Sequence, residues 1–253
     1  TLSSSSAASD VYKRQEIIEP VSQKSAQSHF LNNAQDSHII ARGSGRSYGD
    51  SALADQILNT RFLDNFISLD TAKNTITCGS GVQLKDILNL VIPTGHFPPV
   101  LPGTKYITVG GAIAADIHGK NHHQAGSFCQ HLVSLELLLA SGEIVECSRS
   151  EKKDLFLATC GGMGLTGVIL NATIILKKVA SASIDKKTQV AGDLRECMDI
   201  FDESEESEYS VAWLDALAQG KKRGRSLVHV GNHSEKGLQQ PILRRELSIP
   251  SIT

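Results

Sequence analysis

The spacing of apolar side chains along the chain predicts a mixture of helices and short strands. Residues 82–92 place apolar side chains three or four positions apart, which is the spacing of one helical face. Residues 16–33 have a broadly helical composition, and residues 154–159 predict a short helix. Apolar runs between turn residues predict strands over residues 37–41, 67–69, 75–78, 132–140, 143–147, 168–176 and 209–214. The fourth and fifth of these runs are separated by Ser-Gly and predict a β-hairpin.

The character of the sequence changes near residue 180, where we place a domain boundary. After it come an acidic segment (199–208), an alternating strand pattern and a basic loop (220–225). Residues 1–15 are rich in serine and alanine and lack the apolar stretch of a signal peptide, so we interpret them as a non-native or disordered leader. The pattern predicts an α+β chain with a domain over residues 16–180 and the start of a second domain over 181–253.

Composition excludes several classes of protein. The 253-residue chain has a formal net charge of −2 and a pI near 6.5, which argues against a general nucleic-acid binder. No apolar run reaches the roughly 18 residues of a membrane span. The five cysteines are odd in number and form no CxxC pair, so we interpret them as small buried residues of a protein in a reducing compartment.

Three glycine-rich segments are the candidate functional loops: residues 41–50, 98–128 and 160–170. The first, ARGSGRSYGD, follows a predicted strand, where backbone N–H groups commonly bind an anion. Its third glycine stands one residue too late for the dinucleotide fingerprint GxGxxG, and no amphipathic helix follows at once. A Rossmann site is therefore a weak interpretation of this loop.

The second segment carries a cluster that raises the alternative of a metal site, comprising Asp116, His118, His122, His123 and His131. An i, i+4 histidine pair on a helix presents two ligands on one face. However, glycine and asparagine interrupt the segment and no glutamate follows the first histidine as in HExxH. The alternative is a loop with exposed or capping histidines, and we predict no metal site.

A flavin held by several loops accounts for all three segments together. The pyrophosphate of FAD needs convergent N–H donors, and its ring system needs close approach of the backbone. Small residues at positions 110, 111, 112, 114 and 115 allow such an approach. The sequence therefore favours FAD over the other two ligands.

The stretches RGSGRSYGDSAL, PVLPGTKYITVGGAIAADIHGKNHHQAGSF, GGMGLTGVI and SVAWLD resemble one family. It is the FAD-linked oxidases of the vanillyl-alcohol oxidase and p-cresol methylhydroxylase (PCMH) type, and the similarity is greatest to its decaprenylphosphoryl-β-D-ribose 2-oxidase members. The resemblance runs from about residue 20 to the end. It implies a two-subdomain PCMH-type FAD-binding domain followed by the beginning of an antiparallel-sheet substrate domain.

The resemblance also implies the site residues. Covalent relatives often have histidine where this chain has Arg46, so non-covalent FAD is expected. Tyr48 is expected near the flavin edge, and His118 and Lys120 are the expected catalytic residues, facing the flavin and the sugar pocket. The expected cofactor-binding residues are Ala41, Arg42, Gly43, Ser44, Gly45, Arg46, Ser47, Tyr48, Gly49, Gly103, Thr108, Val109, Gly110, Gly111, Ala115, Asp116, Ile117, His118 and Ile169.

The activity implied by the resemblance is oxidation of a secondary alcohol, the ribose 2-hydroxyl of a polyprenyl-phosphate ribose. A short-chain dehydrogenase is the expected partner that reduces the keto product, which completes epimerisation to arabinose. The alternatives are a sugar, alditol or aldonolactone oxidase that uses oxygen, and a non-catalytic FAD-binding protein. The basic loop 221–225 is interpreted as solvated, with contact to a lipid phosphate as the alternative. The expected location is cytoplasmic or peripheral to a membrane.

Overall fold

The computed structural model describes residues 16–33, 39–49 and 51–236. The predicted leader, Asp50 and residues 237–253 lie outside these ranges. The described residues begin with a parallel three-stranded sheet in the order β1-β3-β2, whose strands are β1 (Glu16–Ile18), β2 (Ile39–Arg42) and β3 (Gln56–Asn59). The helix α1 (Gln23–Asn33) connects β1 to β2.

The prediction of helix over residues 16–33 is wrong for the first part of that range. Glu16 to Ile18 pair with Gln56 to Leu58 in the parallel sheet, and the helix begins only after Pro20. Proline has no N–H to donate, and the Ser22 hydroxyl accepts a hydrogen bond from the Ser25 N–H at 3.1 Å, which marks the start of the helix.

A five-stranded antiparallel sheet forms the centre of the first domain. Its order is β4-β5-β9-β7-β8, and its strands are β4 (Phe66–Asp70), β5 (Thr75–Gly79), β7 (Leu132–Leu138), β8 (Ile144–Ser148) and β9 (Val168–Ile175). A separate short pair joins β6 (His96–Phe97) to β10 (Lys177–Lys178). The predicted hairpin is confirmed, because β7 and β8 are antiparallel neighbours.

Short helices lie between these strands along the chain: α2 (Leu84–Val91), α3 (Val109–Ala114), α4 (His122–Ala125) and α5 (Lys153–Thr159). The helix predicted over residues 82–92 is confirmed, and it buries Leu84, Ile87 and Val91. Helix α3 was not predicted, because its sequence VGGAIA has the composition of a loop. Its N–H of Gly111 donates to the Thr108 hydroxyl at 3.3 Å, so a side-chain cap compensates for two glycines.

A second antiparallel sheet follows, in the order β11-β13-β12: β11 (Ile184–Ala191), β12 (Tyr209–Leu214) and β13 (Ser226–His233). Helix α6 (Leu194–Glu203) packs on one face and buries Cys197 and Ile200 against Val228 and Val230. The residue near which we placed the boundary lies between β10 and β11. Within the described residues, no helix is both long and apolar enough to cross a membrane.

A cluster of polar and aromatic side chains joins the β6–β10 pair to the second antiparallel sheet. The Lys177 ammonium contacts the Glu208 carboxylate and donates to the Tyr209 hydroxyl at 2.9 Å. That hydroxyl also lies 3.1 Å from Nε2 of His233, whose ring packs edge-on against Phe97 at 4.9 Å between centroids. Side chains from the β6–β10 pair and from the second antiparallel sheet therefore hold β12 and β13 against that pair.

Close backbone packing holds β5 against the segment that follows β3. The Gly79 N–H donates to the Asn65 carbonyl at 2.8 Å, and an added Cβ at Gly79 would stand 2.1 Å from the Leu63 carbonyl oxygen. No real Cβ occupies such a position, so the two segments would have to separate.

Gly79→Ala is therefore expected to lower the free energy of unfolding by roughly 1–3 kcal/mol, the usual cost of forcing atoms into a packed interior. Urea denaturation measures this loss. The matched control is Gly49→Ala, where an added Cβ meets no heavy atom within 4 Å. Equal stability of the Gly79 variant and the unaltered chain would contradict the packing described.

Candidate functional site

One large cavity opens between the first domain's parallel sheet and its central sheet. Its volume is about 810 Å³, which is in the range of cofactor sites. Three stretches of chain form its walls: the loop after β2, the segment that leads into α3 together with that helix, and the turn before β9. These are the three glycine-rich segments singled out in the sequence.

The loop after β2 presents unpaired backbone donors to the cavity. Within the described residues, the N–H groups of residues 43–48 donate to no acceptor of the protein. Gly45 has φ +60°, and an added Cβ there would stand 2.9 Å from Nη2 of Arg42, so the loop curls tightly over that side chain. A run of free donors beside two arginines suits an anion such as a diphosphate.

Gly43 lets this loop approach α3. An added Cβ at Gly43 would stand 2.1 Å from the Thr108 hydroxyl, the same hydroxyl that caps the helix. Gly110 and Gly111 line the facing wall without side chains. Backbone from two separate segments therefore comes together at the cavity.

Ser80 is a site residue that the sequence did not reveal. It lines the cavity, is 1% exposed, and its hydroxyl has no hydrogen-bond partner in the part of the chain that the structure describes. A buried hydroxyl without a partner is costly, so a polar ligand that satisfies it is favoured. The serine follows β5 without any motif around it, which is why no sequence pattern marked it.

Most of the expected cofactor contacts line the cavity, and some do not. Residues 41–49, Gly103, Thr108, Gly110, Gly111, Ala115, Ile117 and Ile169 line it. Val109 is fully buried in the core, and its N–H donates to the Val82 carbonyl. Asp116 is turned away, since its carboxylate accepts the Cys129 N–H at 2.9 Å. Further lining residues outside that expectation are Ser51, Ala52, Thr60, Ser80, Pro102, Thr104, Ile107, Ala114, Met163, Gly164 and Gly167.

The expected catalytic residues stand at the edge of this site rather than in its wall. His118 and Lys120 are exposed and do not line the cavity, although His118 directly follows the lining residue Ile117. The Lys120 carbonyl accepts the Ser210 N–H of β12 at 2.9 Å. The segment that joins the cavity to the second sheet thus carries both side chains.

Buried contacts hold this segment in place. The Asn121 side-chain amide, 1% exposed, donates to the Pro99 carbonyl at 2.8 Å. An added Cβ at Gly119 would stand 2.5 Å from the Leu101 carbonyl oxygen. The rings of His118 and His122 lie 5.4 Å apart between centroids, and no three His, Cys, Asp or Glu side chains of the described residues form a metal site.

Comparison with known proteins identifies the first domain. A family profile described as "FAD binding domain" matches residues 20–148. Decaprenylphosphoryl-beta-D-ribose oxidase of Mycolicibacterium smegmatis is 42% identical over 77% of this chain and 43% of its own length. L-gulonolactone oxidase of Bos taurus is 30% identical over 71% of this chain and 40% of its own length.

A plant protein extends the comparison. Cytokinin dehydrogenase 2 of Arabidopsis thaliana is 28% identical over 58% of this chain and 30% of its own length. The chain spans less than half the length of each of these relatives. The profile covers half of the chain, and its matched range contains two of the three cavity walls. The chain accordingly belongs to the FAD-binding, PCMH-type oxidase family.

Proposed function

We propose that the cavity holds FAD without a covalent bond, with the cofactor's diphosphate on the loop after β2. The single observation that carries this is that residues 43–48 line the cavity while their N–H groups donate to no acceptor among the described residues. Arg46 adds a positive charge to the same loop. Its place in the loop, where covalent relatives often carry histidine, supports the non-covalent mode.

The remaining walls suit the other parts of the cofactor. Glycine and alanine at positions 110, 111, 114 and 115 leave the backbone of α3 and its end accessible to a flat ring system. Ile107, Ile117 and Ile169 give this part of the cavity an apolar lining. The Ser80 hydroxyl is available to satisfy one polar atom of the ligand.

The proposed activity is oxidation of a sugar's secondary alcohol, the ribose 2-hydroxyl of a polyprenyl-phosphate ribose. Similarity to the mycobacterial decaprenylphosphoryl-ribose oxidase supports this substrate class. FAD, when bound, supplies the two-electron acceptor. His118 and Lys120 are proposed to hold the sugar hydroxyl and a nearby negative charge, because both are exposed cationic or ionisable groups between the cavity and the second sheet.

Reduction of the keto product by a short-chain dehydrogenase is the proposed following step.

A second candidate function is oxidation of an aldonolactone or alditol with oxygen as acceptor. The gulonolactone oxidases among the relatives favour it. In the full-length protein, rapid reoxidation in air after reduction supports this second function, and slow reoxidation supports the first.

Arg46→Ala is expected to weaken FAD binding about tenfold or more, because a charged hydrogen bond contributes roughly 1.5–3 kcal/mol. Titration of the apoprotein with FAD, followed by quenching of flavin fluorescence, measures the dissociation constant. Lys222→Ala removes an exposed cation that lies outside the cavity and is the matched control. Loss of the same size in both variants would show that Arg46 has no local role.

Acid precipitation of the FAD-loaded protein is expected to release all of the flavin into the supernatant. Arg46 offers no nucleophilic imidazole to the ring's 8α-methyl group, so nothing in that loop position forms the bond. Absorbance of the two fractions near the flavin maximum measures the distribution. Yellow colour that stays with the precipitate would overturn the non-covalent assignment.

His118→Ala and Lys120→Ala, made in the full-length protein, are each expected to slow flavin reduction by substrate more than tenfold. Anaerobic stopped-flow absorbance measures this step separately from reoxidation. Lys153→Ala changes an exposed lysine of α5 that does not line the cavity and is the control. Unchanged reduction rates in the first two variants would refute their catalytic roles.

A further inference from the structure

Two cysteines far apart in sequence meet beneath the cavity. Cys129 lies in the single turn Phe128–His131, and Cys160 follows the last residue of α5. The Ile113 carbonyl oxygen of α3 lies 3.5 Å from Sγ of Cys129 and accepts the Gly161 N–H at 3.0 Å. Because both groups contact one oxygen atom, Cys129 and the residue that follows Cys160 are neighbours, and Cys160 packs against the buried cluster to which Cys129 belongs.

The backbone around Cys129 is held in place by polar contacts. Its N–H donates to the Asp116 carboxylate at 2.9 Å, and its carbonyl accepts from Nη2 of Arg149 at 2.9 Å. Asp116 itself has φ +39°, a left-handed conformation that is unusual for a residue other than glycine. An added Cβ at Gly161 would stand 3.4 Å from the Asp116 Cβ, so the same residue also touches the chain that follows Cys160.

The two thiols differ in access and in acidity. Cys129 is 4% exposed, whereas Cys160 is partly exposed. The neighbouring Cys129 thiol lowers the pKa of Cys160, burial and the Asp116 carboxylate act in the opposite direction, and the positive charge of Arg149 also lowers it. The same contact and burial raise the pKa of Cys129. Cys160 is thus the thiol that a small oxidant reaches first, and Cys129 is the neighbour that resolves the product.

We propose that Cys129 and Cys160 form a reversible disulfide in response to hydrogen peroxide, a modification site beneath the cavity. The Cys160 thiolate attacks one peroxide oxygen, the O–O bond breaks, and hydroxide leaves with the formation of a sulfenic acid. The Cys129 sulfur then attacks the sulfenic sulfur, the S–S bond forms, the S–O bond breaks, and water leaves with the thiol proton. Two thiols are oxidised by two electrons, peroxide is reduced to water, and a dithiol reductant reverses the change.

The bond would join two segments that border the cavity. Cys160 leads directly into the turn that contributes Met163, Gly164 and Gly167 to the wall. Cys129 is tied through Asp116 to the stretch between the lining residues Ala115 and Ile117. A disulfide between Cys129 and Cys160 would therefore restrain both segments at once. The inference concerns the thiols alone and does not depend on the proposed function.

The test uses the unaltered chain, treated with hydrogen peroxide, alkylated under denaturing conditions and digested for mass spectrometry. The expected product is one cross-linked peptide pair containing Cys129 and Cys160, with two hydrogen atoms lost. Cys78, Cys147 and Cys197, all buried, are expected to remain alkylated. Dithiothreitol is expected to restore both free thiols. Oxidation of Cys160 to sulfenic or sulfinic acid without a bond to Cys129 would overturn the proposal.

Variants separate the two roles. In Cys129→Ser, the oxidation of Cys160 is expected to stop at a sulfenic acid that dimedone traps. In Cys160→Ser, Cys129 is expected to stay reduced. Cys147→Ser, which changes a buried cysteine of β8, is the matched control and is expected to cross-link at the rate of the unaltered chain. A cross-link that persists in Cys160→Ser would refute the pairing, and the measurement on the unaltered chain holds whether or not each variant folds.

Discussion

Backbone N–H groups that have no acceptor among the described residues are the constraint on which the site depends. A donor that faces neither water nor an acceptor destabilises a structure, so the loop over residues 43–48 must remain open to solvent or meet a ligand. The rest of the first domain supports this loop. Gly43 allows it to rest on α3, the Thr108 hydroxyl caps that helix, and close packing of Gly79 holds the central sheet against the segment that follows β3.

This arrangement explains why small residues dominate the cavity wall. Where two pieces of backbone must both approach one ligand, every side chain between them increases the separation. Gly110 and Gly111 in α3 therefore weaken the helix as an isolated element while they bring its backbone to the surface of the cavity. The hydrogen bond of the Thr108 cap recovers part of the helix stability that the glycines remove. Different residues therefore provide helix stability and access to the ligand.

The sequence predicts elements well where burial follows a regular period. Helix α2 and the β7–β8 hairpin have such periods and were predicted. The sequence predicts a helix where β1 lies. The strand pairs with β3, which is distant in sequence, and its three residues are too few to show an alternating pattern. The sequence does not predict helix α3, because its two glycines allow close approach of the backbone but have a low helix propensity.

The same distinction holds within the site. Glycine-rich stretches are visible in a sequence, and all three of those identified contribute to the cavity. No sequence pattern indicates Ser80, because only the folded chain shows that its hydroxyl is buried without a hydrogen-bond partner among the described residues. Asp116 stands between two lining residues, yet its carboxylate faces Cys129, since a left-handed φ turns it out of the run. Direction of a side chain in a loop is set by dihedral angles that residue type alone does not specify.

The hydrogen bond from the Ser210 N–H to the Lys120 carbonyl has a consequence for how proteins of this family diversify. This hydrogen bond joins the second sheet to the rim of the cavity through main-chain atoms. Every residue type except proline can donate the N–H, and any residue can supply the carbonyl oxygen. The side chains of Lys120 and Ser210 therefore take no part in this hydrogen bond between the rim and the second sheet. Side-chain substitutions at the rim can therefore change the shape and charge of the cavity entrance while this main-chain hydrogen bond to the second sheet is kept.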